Sequence, residues 1–300
     1  MLLLTSALFD TLKPLPGRNV KYYSSFVSQH MMITTSTAVA QCNLMPEMFG
    51  ESKKIIDEHI DRFIGDLPES SEGITKAYKP HCKTMHIDPG EIIQKNEPRI
   101  FASDAFEAKS KAYGISNREL VIRTLNASAF LEYFFLFEST ITNIYRRKYQ
   151  SASERHLMLG GKDVISKCLM GKLKRDGNEA AFFSDLQTRS QFFTNPSQLA
   201  SVWRLLNLIR NQQVHSAGIY SGRAKKDFVK YIDRICHAYK NQDEMTIPVN
   251  LLLQVLEPVQ EHIERHGYIL FTDPLENLVR NFSLFVMESL YLTEKRYSTS

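Results

Sequence analysis

A long apolar stretch near the middle of the chain limits its possible folds more than any other feature. Residues 125–144 form the most apolar window, and its length approaches that of a membrane span. Glu132 and Glu138 interrupt the window. Each carboxylate costs on the order of a kcal/mol or more at bilayer depth. We therefore predict a helix at the centre of a helical bundle, outside any membrane.

Capping residues predict where several helices begin. Ser116 and Glu119 have the spacing of a capping box, which predicts a long helix running to about Tyr149. Asn195 and Asp273 each stand directly before a proline, which is the order expected of an N-cap followed by the first helical residue. These signals predict that helices begin close to Ser116, Asn195 and Asp273.

Apolar residues recur at helical spacing elsewhere in the same region. Pro258 interrupts the last such segment and predicts a kink or a break there. We predict that residues 101–300 form one all-helical domain. Its remaining helical segments are 162–173, 225–239 and 249–266.

The first 100 residues have a different character, and we predict a smaller mixed α/β region of unknown role. Residues 20–45 are rich in Tyr, Val, Thr and Ser, a composition that favours strands, whereas residues 53–63 have the pattern of an amphipathic helix. Four prolines then predict a loop-rich connection and a domain boundary near residue 100. They are Pro68, Pro80, Pro89 and Pro98.

The net charge and the cysteines limit the possible partners and the expected location of the protein, but they do not identify its function. The formal charge of +4 permits a polyanionic partner such as RNA but does not require one. The four cysteines are far apart and form no C-x-x-C pair. The apolar residues 1–9 lack a basic segment before them, which argues against a signal peptide. A reducing cytoplasm is the expected location.

An arginine and a histidine at the end of one apolar helix form the clearest candidate for chemistry. The string is Arg210-Asn211-x-x-x-His215, followed by Ala217 and Gly218, where we expect the helix to end and to turn both side chains toward one cleft. Imidazole can transfer a proton at the ribose 2'-OH or at the leaving oxygen near neutral pH. Guanidinium can stabilise the charge of the pentavalent phosphorus.

This string resembles the R-x4-6-H signature of the HEPN superfamily, including the asparagine after the arginine. The resemblance covers residues 101–300 in helical order, but only the short motif is specific. It implies a helical bundle that forms a homodimer and cleaves RNA without metal or cofactor, leaving a 2',3'-cyclic phosphate. It also implies an acidic residue from the earlier helix, with Glu138 the first choice and Glu132 the second.

The resemblance further implies a biological setting. Many members of this family are toxins or effectors of bacterial antiviral defence, some acting by abortive infection, and an antitoxin or regulatory partner would be consistent with that. We predict that Arg146, Arg147 and Lys148 bind the phosphate backbone of the RNA substrate. Two other basic clusters, 172–175 and 223–226, have the same capacity.

Two alternatives remain open. A non-catalytic HEPN-like module could bind RNA, nucleotide or a protein partner, with Arg210 and His215 serving the structure. A metal-dependent hydrolase could use His262 and His266, which have the four-residue spacing of zinc ligands but not the H-E-x-x-H order. His81, Cys82 and His86 are close in sequence but lie in the proline-rich connection, where incidental polar residues are expected.

Overall fold

Helices make up almost all of the residues that the computed structural model describes. These residues are 11–12, 21–42, 44, 55, 57–58, 62, 102–149, 160–190, 192–239 and 246–298. They contain no β-strand, and only one isolated antiparallel bridge joins Ile219 to Tyr268. The prediction of a mainly α protein is therefore confirmed.

Short connections join successive helices within residues 102–149, 160–239 and 246–298. A 3-10 turn over Gly161–Asp163 and a π-helical segment over Val164–Leu169 lead directly into α4. The α-helices are α1 (Lys21–Cys42), α2 (Ala102–Tyr113), α3 (Asn117–Tyr149), α4 (Met170–Asp176), α5 (Glu179–Arg189), α6 (Pro196–Ser216), α7 (Gly222–Tyr239), α8 (Thr246–His266) and α9 (Asp273–Ser298).

The strand interpretation of residues 20–45 is wrong, because this segment forms helix α1. Tyr23, Phe26 and His30 are buried at helical spacing on one face, and the Tyr23 ring stacks on Tyr291 with centroids 4.2 Å apart. Burial of that face outweighs the strand preference of the Thr and Ser residues. The described residues thus lend no support to a mixed α/β N-terminal region. In the predicted helix 53–63, the described positions are helical.

The predicted caps of α3 and α6 are observed. The Ser116 hydroxyl accepts a hydrogen bond from the Glu119 amide at 3.2 Å. The Asn195 side chain accepts from the amides of Ser197 and Gln198, and the Gln198 side chain accepts from the Asn195 amide. This reciprocal arrangement is a complete capping box. The sequence therefore located these two helix starts correctly.

Two other helical predictions hold with changes. The N-cap of α9 is Thr272 rather than Asp273, and the Thr272 hydroxyl accepts a hydrogen bond from the Leu275 amide. The Asp273 side chain accepts a hydrogen bond from Asn126 at 2.8 Å. Helix α8 continues through Pro258 without a break. Periodicity alone did not indicate that the segment 162–173 begins with 3-10 and π turns before becoming α-helical.

Backbone contacts divide the chain into two compact units. One consists of Met1–Ala38 and Leu125–Ser300, and the other of Val39–Thr124. In the second unit, Arg118 forms an ion pair with Asp57 at 2.7 Å. The predicted boundary near residue 100 falls inside this second unit, among residues outside the described ones.

The core of the first unit is centred on Trp203, which is fully buried. Its ring stacks on Phe134 of α3 with centroids 4.3 Å apart and on Phe282 of α9 with centroids 6.0 Å apart. The side chains of Phe134 and Phe137 on α3 are also inaccessible to solvent. The three helices α3, α6 and α9 thus pack through one aromatic cluster.

Helix α3 is long and apolar enough to cross a membrane by length and composition alone, and half of its most apolar window is buried within the protein. Among the described residues it is the only helix with these properties. Its buried residues pack against α6 and α9, which is the bundle arrangement that the interrupting glutamates predict.

A buried ion cluster joins α5 to α9. Arg189 donates to Asp185 at 2.9 Å and to Glu288 at 3.0 Å, and all three side chains are at most 5% exposed. Glu288 also accepts a hydrogen bond from the backbone amide of Leu12 at 2.8 Å. One guanidinium therefore pairs with both carboxylates in a nearly buried site.

Substitution Arg189→Met should strongly destabilise the protein, because it leaves two carboxylates buried without their cation. We expect a loss of about 3–5 kcal/mol in the free energy of unfolding, measured by urea denaturation. The control Arg265→Ala removes an exposed pair with Glu261 and should cost about 0–1 kcal/mol. Equal losses in the two variants would contradict the assigned role of the cluster.

Glu276 near the start of α9 is a further buried carboxylate, and it is only 3% exposed. Burial raises its pKa to about 7, the attraction of Arg280 opposes this, and repulsion from Asp273 adds to it. The Arg280 guanidinium lies 3.8 Å away, too far for a good hydrogen bond. Folding therefore favours the protonated form of Glu276.

Glu276→Gln should flatten the pH dependence of stability. The pKa of Glu276 is about 4.5 in the unfolded chain and about 7 in the folded protein, so the folded state holds the proton more tightly between these pH values. Stability of the wild type should consequently fall as pH rises through this window, by on the order of 3 kcal/mol. The effect is measured as the difference in free energy of unfolding between wild type and variant, determined by urea denaturation from pH 4 to pH 8. A constant difference would refute the assignment.

Candidate active site around Arg210 and Glu138

Helix α6 carries the predicted motif, and its buried face sets the direction of the motif's side chains. Val202, Leu206 and Ile209 are buried in the aromatic core together with Trp203. Arg210 follows Ile209 at the edge of this face, and its side chain is 15% exposed. The packing of α6 therefore directs the guanidinium toward α3 rather than toward solvent.

The structure brings Arg210 together with the carboxylate that the sequence nominated first. The Nη2 atom of Arg210 donates to Glu138 Oε1 at 3.3 Å and to Oε2 at 3.2 Å. Its Nη1 atom donates to Asn211 Oδ1 at 2.7 Å. The guanidinium carbon lies 4.9 Å from the ring centroid of Phe134 and 5.4 Å from that of Phe135. Arg210 is thus held in place by charge, hydrogen bonding and ring contacts.

Glu132, the second choice, is exposed and lies six positions before Glu138. At about 100° per residue this places it about 240° around α3 from Glu138. Of the two glutamates in the apolar window, only Glu138 contacts Arg210 among the described residues.

A glycine turn before the π-helical segment completes the cluster, and sequence reasoning missed its part in the site. Gly161 has a left-handed φ of 58°, and its amide donates a hydrogen bond to Glu138 Oε1. Its carbonyl accepts from the Trp203 indole at 2.7 Å. A Cβ on the preceding Gly160 would lie 3.1 Å from Glu138 Oε1. The consecutive glycines 160–161 were the available signal, and close backbone approach is their physical reason.

Asn207 is a second residue that sequence reasoning missed. It lies three positions before Arg210 and four before Asn211, so the three side chains share one side of α6. It is 8% exposed, and its Oδ1 atom has no hydrogen-bond partner among the described residues. A polar acceptor is therefore available at the edge of the Arg210 cluster.

His215 lies apart from this cluster. Helix α6 remains helical to Ser216 and ends at Ala217, which has a left-handed φ of 47°. Five helical positions separate Arg210 from His215, or about 140° around the axis. His215 is exposed, and among the described residues its imidazole forms no hydrogen bond or ion pair. The expectation that the helix end turns both side chains toward one cleft is therefore wrong within a single chain.

Two of the three predicted substrate-binding cations on α3 line a cleft away from the Arg210 cluster. Arg147 is nine positions beyond Glu138, which places it on the opposite face of α3. Arg147 and Lys148 line a separate cleft beside α1, and Lys148 donates to Asp176 at 2.8 Å. Arg146 is exposed and lies eight positions beyond Glu138. Their role as RNA ligands stays a prediction.

The alternative metal sites receive no geometric support from the described residues. The rings of His262 and His266 lie 4.5 Å apart, as expected for neighbours on one helical face. No group of three or more His, Cys, Asp or Glu side chains that could hold a metal is found in the described part of the chain. His81, Cys82 and His86 lie outside the described residues.

Comparison with known proteins does not assign a family to this site. No family model matches the chain, and neither a curated protein nor a solved structure provides a match. The interpretation of the site therefore depends on its residues and their geometry.

Proposed function

We propose that this protein is a metal-independent RNA endonuclease of the HEPN type, acting as a toxin or defence effector. The observation that carries the proposal is the pairing of Arg210 with Glu138, which lies 72 residues earlier in the chain. The HEPN resemblance calls for such an acidic residue from the earlier helix. Asn211, the residue after the arginine, also contacts the guanidinium, as its place in the motif suggests.

Arg210 would stabilise the phosphate in the transition state. Glu138 engages Nη2, and Asn211 engages one hydrogen of Nη1, so the second Nη1 hydrogen is available to a phosphate oxygen. Because Glu138 and the two phenylalanine rings hold the guanidinium, little reorganisation is needed when negative charge develops.

His215 would move the protons. Its exposed imidazole can take the proton from a ribose 2'-OH, whose oxygen then attacks the adjacent phosphorus. The bond from phosphorus to the 5'-oxygen breaks, and that oxygen receives a proton. The products are a 2',3'-cyclic phosphate and a 5'-hydroxyl, and no metal enters the reaction.

The angular separation within α6 supports a composite site made by two chains. Arg210 and His215 of one chain point about 140° apart, so one phosphate is poorly placed to contact both. A two-fold dimer that pairs the ends of two α6 helices would set His215 of the partner subunit opposite Arg210. Each of the two sites then holds one Arg210 and one His215, and the imidazolium formed in the first step can return its proton to the leaving 5'-oxygen.

Exposed cations on α7 provide a surface for the RNA backbone. Helix α7 begins at Gly222, seven residues after His215. Four cations recur on one exposed face of it, a spacing that suits successive phosphate contacts. They are Arg223, Lys226, Lys230 and Arg234.

We expect the purified protein to cleave total RNA in excess EDTA, and we expect Arg210→Ala and His215→Ala to lose this activity. Each loss should be on the order of 10²–10⁴-fold, since each variant removes a group that acts in the transition state. Gel analysis of the products, with identification of their ends, measures both rate and mechanism. Glu138→Gln keeps the shape but not the charge and should reduce the rate less.

A matched control separates catalysis from folding in this experiment. Arg265→Ala removes an exposed arginine outside the site and should cleave normally. If wild type shows no activity, growth inhibition on expression should still distinguish wild type from His215→Ala. Cleavage that persists in His215→Ala, or that requires a metal, would refute the proposal.

We expect a homodimer in solution, and light scattering at working concentration measures it directly. Mixing Arg210→Ala with His215→Ala should restore part of the activity, because a mixed dimer contains one composite site with both wild-type residues. A monomer that cleaves RNA, or a dimer without any restoration, would contradict the two-chain site.

A non-catalytic helical module is the second candidate, and one observation favours it. The Arg210 side chain is only 15% exposed, and Glu138 joins it to the Gly161 turn. In this interpretation the cluster fastens the turn against α6 and α3. Arg210→Ala would then lower the free energy of unfolding, while no variant would change an RNA cleavage activity.

A further inference from the structure

A large cleft lies on the side of α3 opposite Glu138. Its volume is about 1090 Å³, which is enough for a nucleotide-sized ligand. Helix α1, helix α3 and the turn between α4 and α5 contribute its lining. The proposed nuclease site does not use this cleft, so its role is a separate question.

A buried charge network forms the floor of the cleft. Lys172 is 4% exposed at its side chain and contacts both Asp176 and Glu294, and Glu294 also accepts a hydrogen bond from Tyr22. Burial alone would raise the pKa of Asp176, but hydrogen bonds from Lys148, Lys172 and Tyr149 lower it to about 2. Asp176 is thus ionised, and Lys148 and Lys172 pair with the carboxylates of Asp176 and Glu294.

Two further cations in the lining have no such partner. Lys21 and Arg147 are exposed, and among the described residues neither forms an ion pair or a hydrogen bond. The lining therefore holds two more cations than carboxylates, since Lys148 and Lys172 offset Asp176 and Glu294. This excess favours an anion in the cleft.

A nearly buried amide points to a ligand independently of this charge. Asn178 lines the cleft, is only 8% exposed and occupies the N-cap position of α5. Its side chain does not form the usual capping hydrogen bond. Among the described residues it has no other side-chain partner. Its polar atoms are open to the cleft, so a ligand there can replace water as their hydrogen-bond partner.

We propose that this cleft binds a nucleoside triphosphate. Lys21 and Arg147 contact the phosphates, and the Asn178 amide donates to a phosphate oxygen beside the N-terminus of α5. Leu136 and Ile144 of α3 provide the apolar wall against which the base lies. The phosphates contribute affinity through charge, and the nucleoside contributes through apolar contact.

Calorimetric titration of the full chain with ATP tests the proposal. Arg147→Ala and Lys21→Ala should each raise the Kd for ATP about tenfold, because each removes a charge-assisted contact. Asn178→Asp should also weaken binding, because it removes the amide donor and places a negative charge beside the phosphates. The control Arg265→Ala removes an arginine outside the cleft and should leave the Kd unchanged.

The same titration is repeated with adenosine, with tripolyphosphate and with a short RNA oligomer. ATP that binds more tightly than both adenosine and tripolyphosphate would support the proposal. Equal binding of tripolyphosphate would overturn it in favour of a bare anion site, and tighter binding of RNA with the same variant profile would overturn it in favour of an RNA channel. No binding of ATP also overturns it. His215→Ala should bind ATP normally, so a failure of the nuclease proposal can be distinguished from a failure of the nucleotide-binding proposal.

Discussion

The packing of Trp203 is the interaction on which the described architecture depends. Its ring joins α3 and α9 to α6 through stacked aromatic contacts, and its indole donates to the Gly161 carbonyl. An indole can be buried fully only if its N–H finds an acceptor, and here the acceptor is the turn that leads into the π-helical segment. One side chain therefore fastens the core and positions the loop beside the candidate site.

The candidate site is an extension of that core. The Gly161 turn, which accepts a hydrogen bond from Trp203, also donates one to Glu138. Glu138 in turn pairs with Arg210, which lies about two helical turns after Trp203 on α6. The arginine is consequently rigid, which suits a preorganised positive charge but also suits a purely structural clamp. His215 belongs to no such network. In the proposed mechanism a second chain completes the site, and mixing of variants tests this.

Helix α3 separates two polar regions by presenting them on opposite faces. Glu138 faces the Arg210 cluster, whereas Arg147 faces the cleft beside α1. The sequence makes Arg146, Arg147 and Lys148 of α3 candidates to bind the RNA backbone because they form a basic cluster. The angular step of an α-helix places Arg147 opposite Glu138, so the proposed nucleotide binding and the proposed RNA cleavage can be tested separately.

The nomination of Glu138 as partner of Arg210 came from the family resemblance, whereas the sequence by itself determined the helical class of the C-terminal region and the caps at Ser116 and Asn195. These depend on local spacing and residue chemistry, which a linear pattern records. Only the tertiary structure decided that residues 21–42 are helical, because burial of Tyr23 against Tyr291 outweighs local preference. Only the tertiary structure, likewise, recruited Gly161 and Asn207 to the site and separated His215 from Arg210, because contacts across the bundle carry no local signal.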